Sequence, residues 1–282
     1  MKAPIVKRII VKRFRSIPAA DIVLNNPLFV VGRNGSGKSN FADIFSFIAD
    51  AMRMPLEAVF DNRAGVVSVR HKGNGKGYPP NLGIRVELGD DGRKMREGFF
   101  SFEIKAQPDH GFEVVQEQCS LTMHDGSRVW YDRRSSFKTN VTGIQPPISK
   151  EALCLPLVSG DERFAPIYRV LNGFRVYSIV PQTMKELQDA DAGTAMKSDG
   201  SNAASVLRSL ARDKETFDRL LKYLAVVVPG TDRVASVSRG NKMTVEFKQD
   251  VGEDRSLKFD SFNMSDGTVR VLGILLALMQ NP

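Results

Sequence analysis

Apolar runs predict that the chain opens with a β-hairpin followed by a buried strand. Residues 5–11 and 20–24 are mostly β-branched or aliphatic, and residues 13–18 between them supply the chemistry of a turn. Residues 28–31, Leu-Phe-Val-Val, are wholly apolar. Because a strand that is buried on both faces has no polar positions, this run predicts a buried strand.

The spacing of the apolar residues changes to that of a helix after Asn40. The apolar side chains then form one stripe, made of Phe41, Ile44, Phe45, Ile48 and Met52. This spacing predicts an amphipathic helix that ends by Pro55. The predicted order is therefore strand, glycine-containing loop and helix.

The pattern in the middle of the chain predicts an antiparallel β region. Apolar-alternating runs lie between residues 82 and 132, and turn sequences separate them at 89–92, 109–111 and 125–127. A further strand is predicted at 174–180, where Pro181 ends it.

The last third mixes helices and strands. Residues 199–202, Asp-Gly-Ser-Asn, offer helix N-cap chemistry, and helical spacing of apolar residues continues from there to Pro229. Residues 243–247 and 257–259 alternate like strands. Residues 269–279 are apolar nearly all round, which predicts a buried helix.

Composition is that of a soluble globular protein with one large domain or two smaller ones. The chain has 282 residues, 42% of them hydrophobic and 26% charged, and two cysteines, too few for a disulfide framework. The early apolar stretch is broken by Lys and Arg, so it predicts neither a signal peptide nor a membrane span. We therefore expect a cytoplasmic protein without a membrane partner.

A formal charge of +8 makes anionic partners plausible, and DNA is the obvious candidate. Basic residues are concentrated in two segments. Such groups more often form solvated surfaces than binding sites for nucleic acid. The groups are Lys7, Arg8, Lys12, Arg13 and Arg15, and Arg128, Arg133, Arg134 and Lys138.

The strongest chemical motif is a phosphate-binding loop between the predicted strand and helix. Its glycines let backbone N–H groups wrap around phosphate oxygens at a helix N-terminus. Lys38 is expected to reach the β and γ phosphates, and the Ser39 hydroxyl to ligate Mg²⁺. The sequence thus predicts ATP with Mg²⁺ at Gly32, Arg33, Asn34, Gly35, Ser36, Gly37, Lys38, Ser39 and Asn40.

A second anion site is predicted directly before the closing apolar helix. Residues 264–268 read Met-Ser-Asp-Gly-Thr, so Ser265 can cap that helix and leave its first N–H groups exposed. Taken alone, a plain N-cap is the simpler interpretation. We call Ser265, Asp266 and Gly267 the signature segment.

Together these motifs resemble the ABC-type ATPases of the RecF/SMC/OLD-like group. Residues 13–16, Arg-Phe-Arg-Ser, resemble the opening element of that group, residues 199–202 look like a motif of its predicted ATPases, and the signature segment resembles the ABC signature. The resemblance implies an α/β P-loop NTPase fold, ABC-ATPase-like, with an antiparallel β region and a helical lobe.

The resemblance also implies how the site is assembled. ABC-type ATPases hold ATP between the P-loop of one subunit and the signature of another, so an ATP-dependent homodimer is expected, with Ser265 and Gly267 contacting the γ-phosphate across the interface. Gln182 is a candidate for the Q-loop glutamine, and an ordinary surface glutamine is the alternative.

The sequence departs from this group in lacking a recognisable Walker B strand with its paired acids. We therefore interpret residues 1–282 as the N-terminal part of the ATPase domain and identify no catalytic residues. Residues 1–180 are predicted to be a β-rich P-loop lobe, 181–230 a helical segment, and 231–282 strands plus the signature helix. This chain alone is expected to bind ATP with little turnover, because the missing carboxylates hold Mg²⁺ and polarise water.

Three functions fit these motifs. The first is an ATPase whose nucleotide-dependent dimerisation regulates a DNA-related or phage-defence activity, with an effector or nuclease subunit and DNA as candidate partners. The second is a non-hydrolysing nucleotide-binding scaffold that organises a partner protein. The third is a small-molecule or nucleotide kinase, but no acceptor-binding pattern supports it.

Overall fold

The computed structural model describes residues 6–71, 81–107, 111–252 and 255–280. Asp109 and His110, at the start of one predicted turn, lie outside these ranges. The chain divides between Arg175 and Val176 into two compact units.

The first unit contains an antiparallel sheet with strand order β2-β1-β3-β4-β5-β6-β7. This confirms the predicted hairpin and the predicted antiparallel region. The strands are β1 (Val6–Phe14), β2 (Ile17–Val23), β3 (Leu82–Leu88), β4 (Met95–Ala106), β5 (Phe112–Met123), β6 (Arg128–Arg133) and β7 (Phe137–Thr139). The helices are α1 (Lys38–Arg53), α2 (Leu56–Asp61), α3 (Val66–Val69), α4 (Leu155–Val158) and α5 (Ala165–Asn172).

Helix α1, which follows the phosphate loop, packs on the sheet through the predicted apolar stripe. Ile48 and Met52 are buried, and Phe47, one position from the stripe, is buried as well. The Phe47 ring meets Phe14 of β1 edge-on at 5.6 Å and stacks on Phe102 of β4 at 6.3 Å. Burial of one such ring stabilises the fold by about 1.5–3 kcal/mol, so α1 is held firmly against β1 and β4.

The predicted buried strand at 28–31 is wrong. These residues belong to no strand, and their side chains are exposed, Leu28 at 39%, Phe29 at 81% and Val31 at 90%. An apolar run is buried only where another surface covers it, and no described strand pairs with this one. We call residues 28–31 the apolar run.

A buried carboxylate fixes the start of α4 to the sheet. Glu117 on β5 is fully buried and accepts hydrogen bonds from the Tyr131 hydroxyl at 2.7 Å and from the backbone N–H groups of Cys154 at 2.6 Å and Leu155 at 2.8 Å. Burial raises the pKa of Glu117, while these hydrogen bonds and the nearby Arg133 charge oppose that rise. The three donors supply the partners that a buried carboxylate requires.

Arg133, which the sequence placed in the second basic surface group, does not lie on the surface. Its side chain is buried rather than solvated, with 1% of the residue exposed. The guanidinium donates to the carbonyl oxygen of Val114 at 2.5 Å and to that of Ser149. Arg133 is therefore part of the interior and cannot belong to a DNA-binding stripe.

The second unit places three helices and a short helix around a small antiparallel sheet, counting only described residues. Its central strand, β10, pairs with β9, β11 and β8. The elements are α6 (Pro181–Lys185), β8 (Gln188–Asp189), α7 (Ala203–Leu210), α8 (Lys214–Val227), β9 (Thr231–Arg239), β10 (Lys242–Asp250), β11 (Ser256–Asp260), a 3-10 turn (Ser261–Asn263) and α9 (Asp266–Met279).

The strand predicted at 174–180 is also wrong. Ser178 and Val180 donate their backbone N–H groups to the carbonyls of Ser198 at 2.8 Å and Asp199 at 3.0 Å, outside any strand. Pro181, expected to end a strand, is instead the first residue of α6. Proline fits the first position of a helix because an N–H there has no partner within the helix, and the same missing N–H prevents proline from continuing a strand ladder.

The N-cap and the closing helix are confirmed in position but not in detail. Asn202 occupies the N-cap position of α7 but makes no side-chain cap; its amide nitrogen donates to Asp191 and Ala195 instead. In α9, Ile274 is 45% exposed and Leu278 is 76% exposed, so this helix is not buried all round. Within the described residues, none of the helices has the length and apolar content to cross a bilayer.

Candidate nucleotide site

The phosphate loop leads directly into α1 through two glycines with left-handed backbones. Gly35 has φ of 78° and Gly37, at the N-cap of α1, has φ of 94°. Side chains rarely adopt these angles, and a Cβ on Gly37 would also lie 3.3 Å from the Ser16 hydroxyl. Both positions therefore favour glycine, which adopts these angles without strain.

Lys38 folds back over the loop. Its ammonium group donates to the carbonyl oxygens of Gly32 at 2.8 Å and Arg33 at 2.7 Å. The positive charge is thus held beside the N-terminus of α1, where the helix dipole also favours an anion.

The loop is open to solvent on the side where a phosphate would bind. Gly37, Lys38 and Asn40 are half-buried, and the other predicted ATP-binding residues are exposed: Gly32, Arg33, Asn34, Gly35, Ser36 and Ser39. An exposed glycine-containing loop with a lysine at a helix N-terminus suits the binding of phosphate groups. Ser39, the predicted Mg²⁺ ligand, presents an exposed hydroxyl in the first turn of α1.

The tight turn between β1 and β2 is tied to the start of α1. Ser16 in this turn accepts a hydrogen bond from the Asn40 side chain at 2.6 Å, and Arg15 pairs with Asp43 at 2.6 Å. Arg15 has a left-handed backbone with φ of 49°, which is strained for a residue with a side chain. The Ser16–Asn40 and Arg15–Asp43 contacts therefore hold the Phe-Arg-Ser element against α1.

A second arginine extends this contact to the next loop. Arg63 follows α2, and only 8% of its side chain is exposed; it contacts Asp50 at 2.7 Å and Asp43 at 3.5 Å. Asp43 of α1 therefore forms ion pairs with two arginines, Arg15 and Arg63. Sequence reasoning missed this network because its members are distant along the chain.

Replacing Asp43 with asparagine is expected to lower the free energy of unfolding by about 1 kcal/mol, because asparagine cannot balance two arginine charges. Urea denaturation of Asp43→Asn measures this loss. Asp61→Asn, at an exposed aspartate in α2, is the matched control and should change stability little. Equal effects of the two substitutions would contradict the role of Asp43.

The signature segment lies at the N-terminus of α9 in the second unit, as predicted. The Ser265 hydroxyl accepts from the Thr268 backbone N–H at 3.1 Å and so caps the helix. Asp266 pairs with Lys185 at 2.6 Å, and the hydrogen bond from Lys185 lowers the pKa of Asp266. Gly267 is exposed.

Gln182, the candidate Q-loop residue, lies in the first turn of α6. Its side chain is exposed and makes no hydrogen bond to the described residues. This placement fits both the Q-loop prediction and an ordinary surface glutamine.

Comparison with known proteins supports the P-loop NTPase fold that the sequence motifs predict. A family model described as "AAA domain, putative AbiEii toxin, Type IV TA system" matches residues 28–116, which include the phosphate loop and α1. No curated protein matches the chain.

Solved structures of SMC heads are similar to this chain over nearly its whole length. An SMC head bound to the C-terminal winged-helix domain of ScpA matches with a TM-score of 0.50 and 13% identity, covering 97% of this chain and 75% of that chain. A Pyrococcus furiosus SMC head with an extended coiled coil, bound to the C-terminal domain of ScpA, gives a TM-score of 0.43 and 12% identity over 98% of this chain and 78% of that chain.

The predicted fold, an α/β P-loop NTPase of the ABC/SMC-like type, is therefore confirmed. The chain has the fold of an SMC head, and its phosphate loop belongs to the region that the AAA-domain family model matches.

Proposed function

We propose that this chain binds Mg²⁺-ATP at the phosphate loop and dimerises when it does so, through its signature segment. The observation that carries the proposal is the pair of helix N-termini: α1 with left-handed Gly35 and Gly37 and with Lys38, and α9 with its Ser265 cap. Both present free backbone N–H groups, which stabilise phosphate oxygens.

In this mechanism each residue has a binding role. The loop N–H groups and Lys38 hold the phosphates of ATP, and Ser39 holds Mg²⁺, which neutralises the phosphate charge. Ser265 and Gly267 of a second copy contact the γ-phosphate, so that the dimer forms only with the triphosphate. Gln182 is the proposed sensor of that phosphate.

A second candidate function is a non-hydrolysing scaffold, and the apolar run favours it. Phosphoryl transfer needs carboxylates that hold the metal and orient water. The apolar run lies directly before the loop and is exposed without a strand partner among the described residues. We propose that a strand of a partner protein covers the apolar run, so that the ATP-bound chain organises that partner without hydrolysis.

The biological role that we propose is regulation of a defence-related or DNA-related activity through a partner protein. The matched family model carries a toxin–antitoxin description, and the matched SMC head was solved with a ScpA domain bound to it. Support for DNA binding is weaker, because Arg133 is buried and Arg8 and Arg15 are engaged by Asp21 and Asp43.

Substituting Ser265 with arginine tests the proposed dimer. Ser265→Arg should leave ATP affinity unchanged but weaken ATP-dependent dimerisation by at least about tenfold, because a bulky side chain crowds the position expected to meet the phosphate. Sedimentation with Mg²⁺ and a non-hydrolysable ATP analogue measures both states. The control is Ser238→Arg, at an exposed serine of β9 in the same unit. Dimers of undiminished stability in Ser265→Arg would refute the signature assignment.

A further inference from the structure

Helix α6 is clamped onto α9 by a methionine that fits between two glycines. A Cβ on Gly273 of α9 would lie 2.8 Å from the Met184 sulfur, and one on Gly200 would lie 2.7 Å from Met184 Cγ. Real Cβ atoms essentially never approach so closely, so a larger residue at either position would force the Met184 side chain to shift. Met184 is 1% exposed, and close packing of this kind resists relative movement of the two helices.

The residue that follows Met184 reaches the signature segment. Lys185 places its ammonium group 2.6 Å from a carboxylate oxygen of Asp266. Only 12% of the Lys185 side chain is exposed, whereas 73% of the Asp266 side chain is exposed. A lysine normally keeps its charge in water. Here its stem is buried, and its charge is directed to one carboxylate.

That carboxylate lies where a negative charge would be unfavourable for the proposed interface. Asp266 is the middle residue of the signature segment, between Ser265 and Gly267, which are proposed to meet a γ-phosphate. Two like charges brought together in an interface oppose association. Lys185 offsets the Asp266 charge directly, and Arg270, one turn further along α9, has a weaker influence.

We propose that Lys185 is a positioning residue for the nucleotide-dependent interface: it neutralises Asp266 and, with Met184, fixes α6 to the first turns of α9. The proposal rests on the proposed function and deepens it, since it identifies the residue that makes a signature containing aspartate compatible with a phosphate. Gln182 lies on the same short helix, so α6 joins the proposed phosphate sensor to the signature segment.

Charge removal in two steps tests this role. Lys185→Met keeps an apolar stem but leaves the Asp266 charge without its partner, so ATP-dependent dimerisation should weaken about tenfold. Adding Asp266→Asn to that variant should restore most of the lost affinity, because no repelling charge remains. Lys222→Met, at an exposed lysine of α8, is the matched control. Sedimentation with Mg²⁺ and a non-hydrolysable ATP analogue gives the dimer affinity, and ATP titration of the monomer gives the nucleotide affinity.

Each outcome decides the proposal. Weaker dimerisation that Asp266→Asn rescues, with unchanged monomer affinity for ATP, supports it. Undiminished dimerisation in Lys185→Met overturns it while the proposed function stands. A loss that Asp266→Asn does not rescue shows that Lys185 acts only through folding and also overturns it. A wild-type chain that binds ATP without dimerising refutes the dimer itself, and the role of Lys185 with it.

Discussion

Lys38→Ala should reduce the affinity for ATP by about 100-fold, because it removes the cation that accompanies the loop N–H groups at the phosphate site. In the structure the Lys38 ammonium rests on the carbonyls of Gly32 and Arg33, within the loop itself. The substitution therefore removes positive charge from the site without emptying a core position. The fold should survive, and the loss should appear as binding energy.

Titration with ATP and Mg²⁺ measures this effect, and Lys138→Ala, at an exposed lysine of β7, is the control. Phosphate release by the wild-type chain, followed in parallel, separates the two candidate functions. Binding without turnover favours the scaffold, or a site that awaits its carboxylates. Turnover that depends on Lys38 favours the ATPase. Unchanged ATP affinity in Lys38→Ala would refute the phosphate-loop assignment.

Glu117→Gln should lower the free energy of unfolding of the first unit by about 3 kcal/mol. The amide has nearly the same shape, but its NH₂ group must face at least one of the three donors that now bind the Glu117 carboxyl group. Because Glu117 is buried, water cannot replace the lost partners.

The pH dependence of this difference has a definite sign. The folded-state pKa of Glu117 is raised by burial above its ordinary value of 4.5. The stabilisation linked to its proton is therefore fully present below that ordinary pKa and is lost as the pH rises through the raised folded pKa. The advantage of the wild-type chain over Glu117→Gln should thus shrink from acidic to neutral pH.

Urea denaturation at pH 3.5 and pH 7.5, on either side of the ordinary pKa of 4.5, checks both the size and the sign of the effect. Glu97→Gln, at an exposed glutamate of β4, is the matched control and should show neither effect. A difference that grows with pH would mean that the hydrogen bonds, rather than burial, dominate the pKa of Glu117.

The phosphate loop and α1 could be predicted because their chemistry is local. Glycines at 35 and 37, a lysine at 38 and a helical apolar stripe lie within a few turns of one another. Each feature constrains its own backbone, so the sequence alone defines the motif. The same holds for the Ser265 cap, which bonds to a residue three positions away.

The exposure of the apolar run could not be predicted from local sequence in this way. Its residues have the composition of an interior strand, but burial depends on what packs against them. The strand predicted at 174–180 is wrong for a related reason. The backbone N–H groups of Ser178 and Val180 donate to the carbonyls of Ser198 and Asp199, which lie outside any strand.

Contacts between distant residues were also beyond local patterns. Lys185 and Asp266 are 81 positions apart, and nothing near either residue specifies the other. The burial of Glu117, by contrast, could have been predicted from the sequence. Glu117 shares the inward face of β5 with the buried Cys119 and Leu121, and a carboxylate at such a position demands internal partners.

The exposed apolar run carries a liability for the isolated chain. An extended, uncharged, β-prone segment that lacks a ladder partner is a template for contacts with other copies of itself. Self-association through the apolar run would need no nucleotide, and the run lies directly before the phosphate loop in the chain. Such self-association would therefore compete with the proposed ATP-dependent dimer.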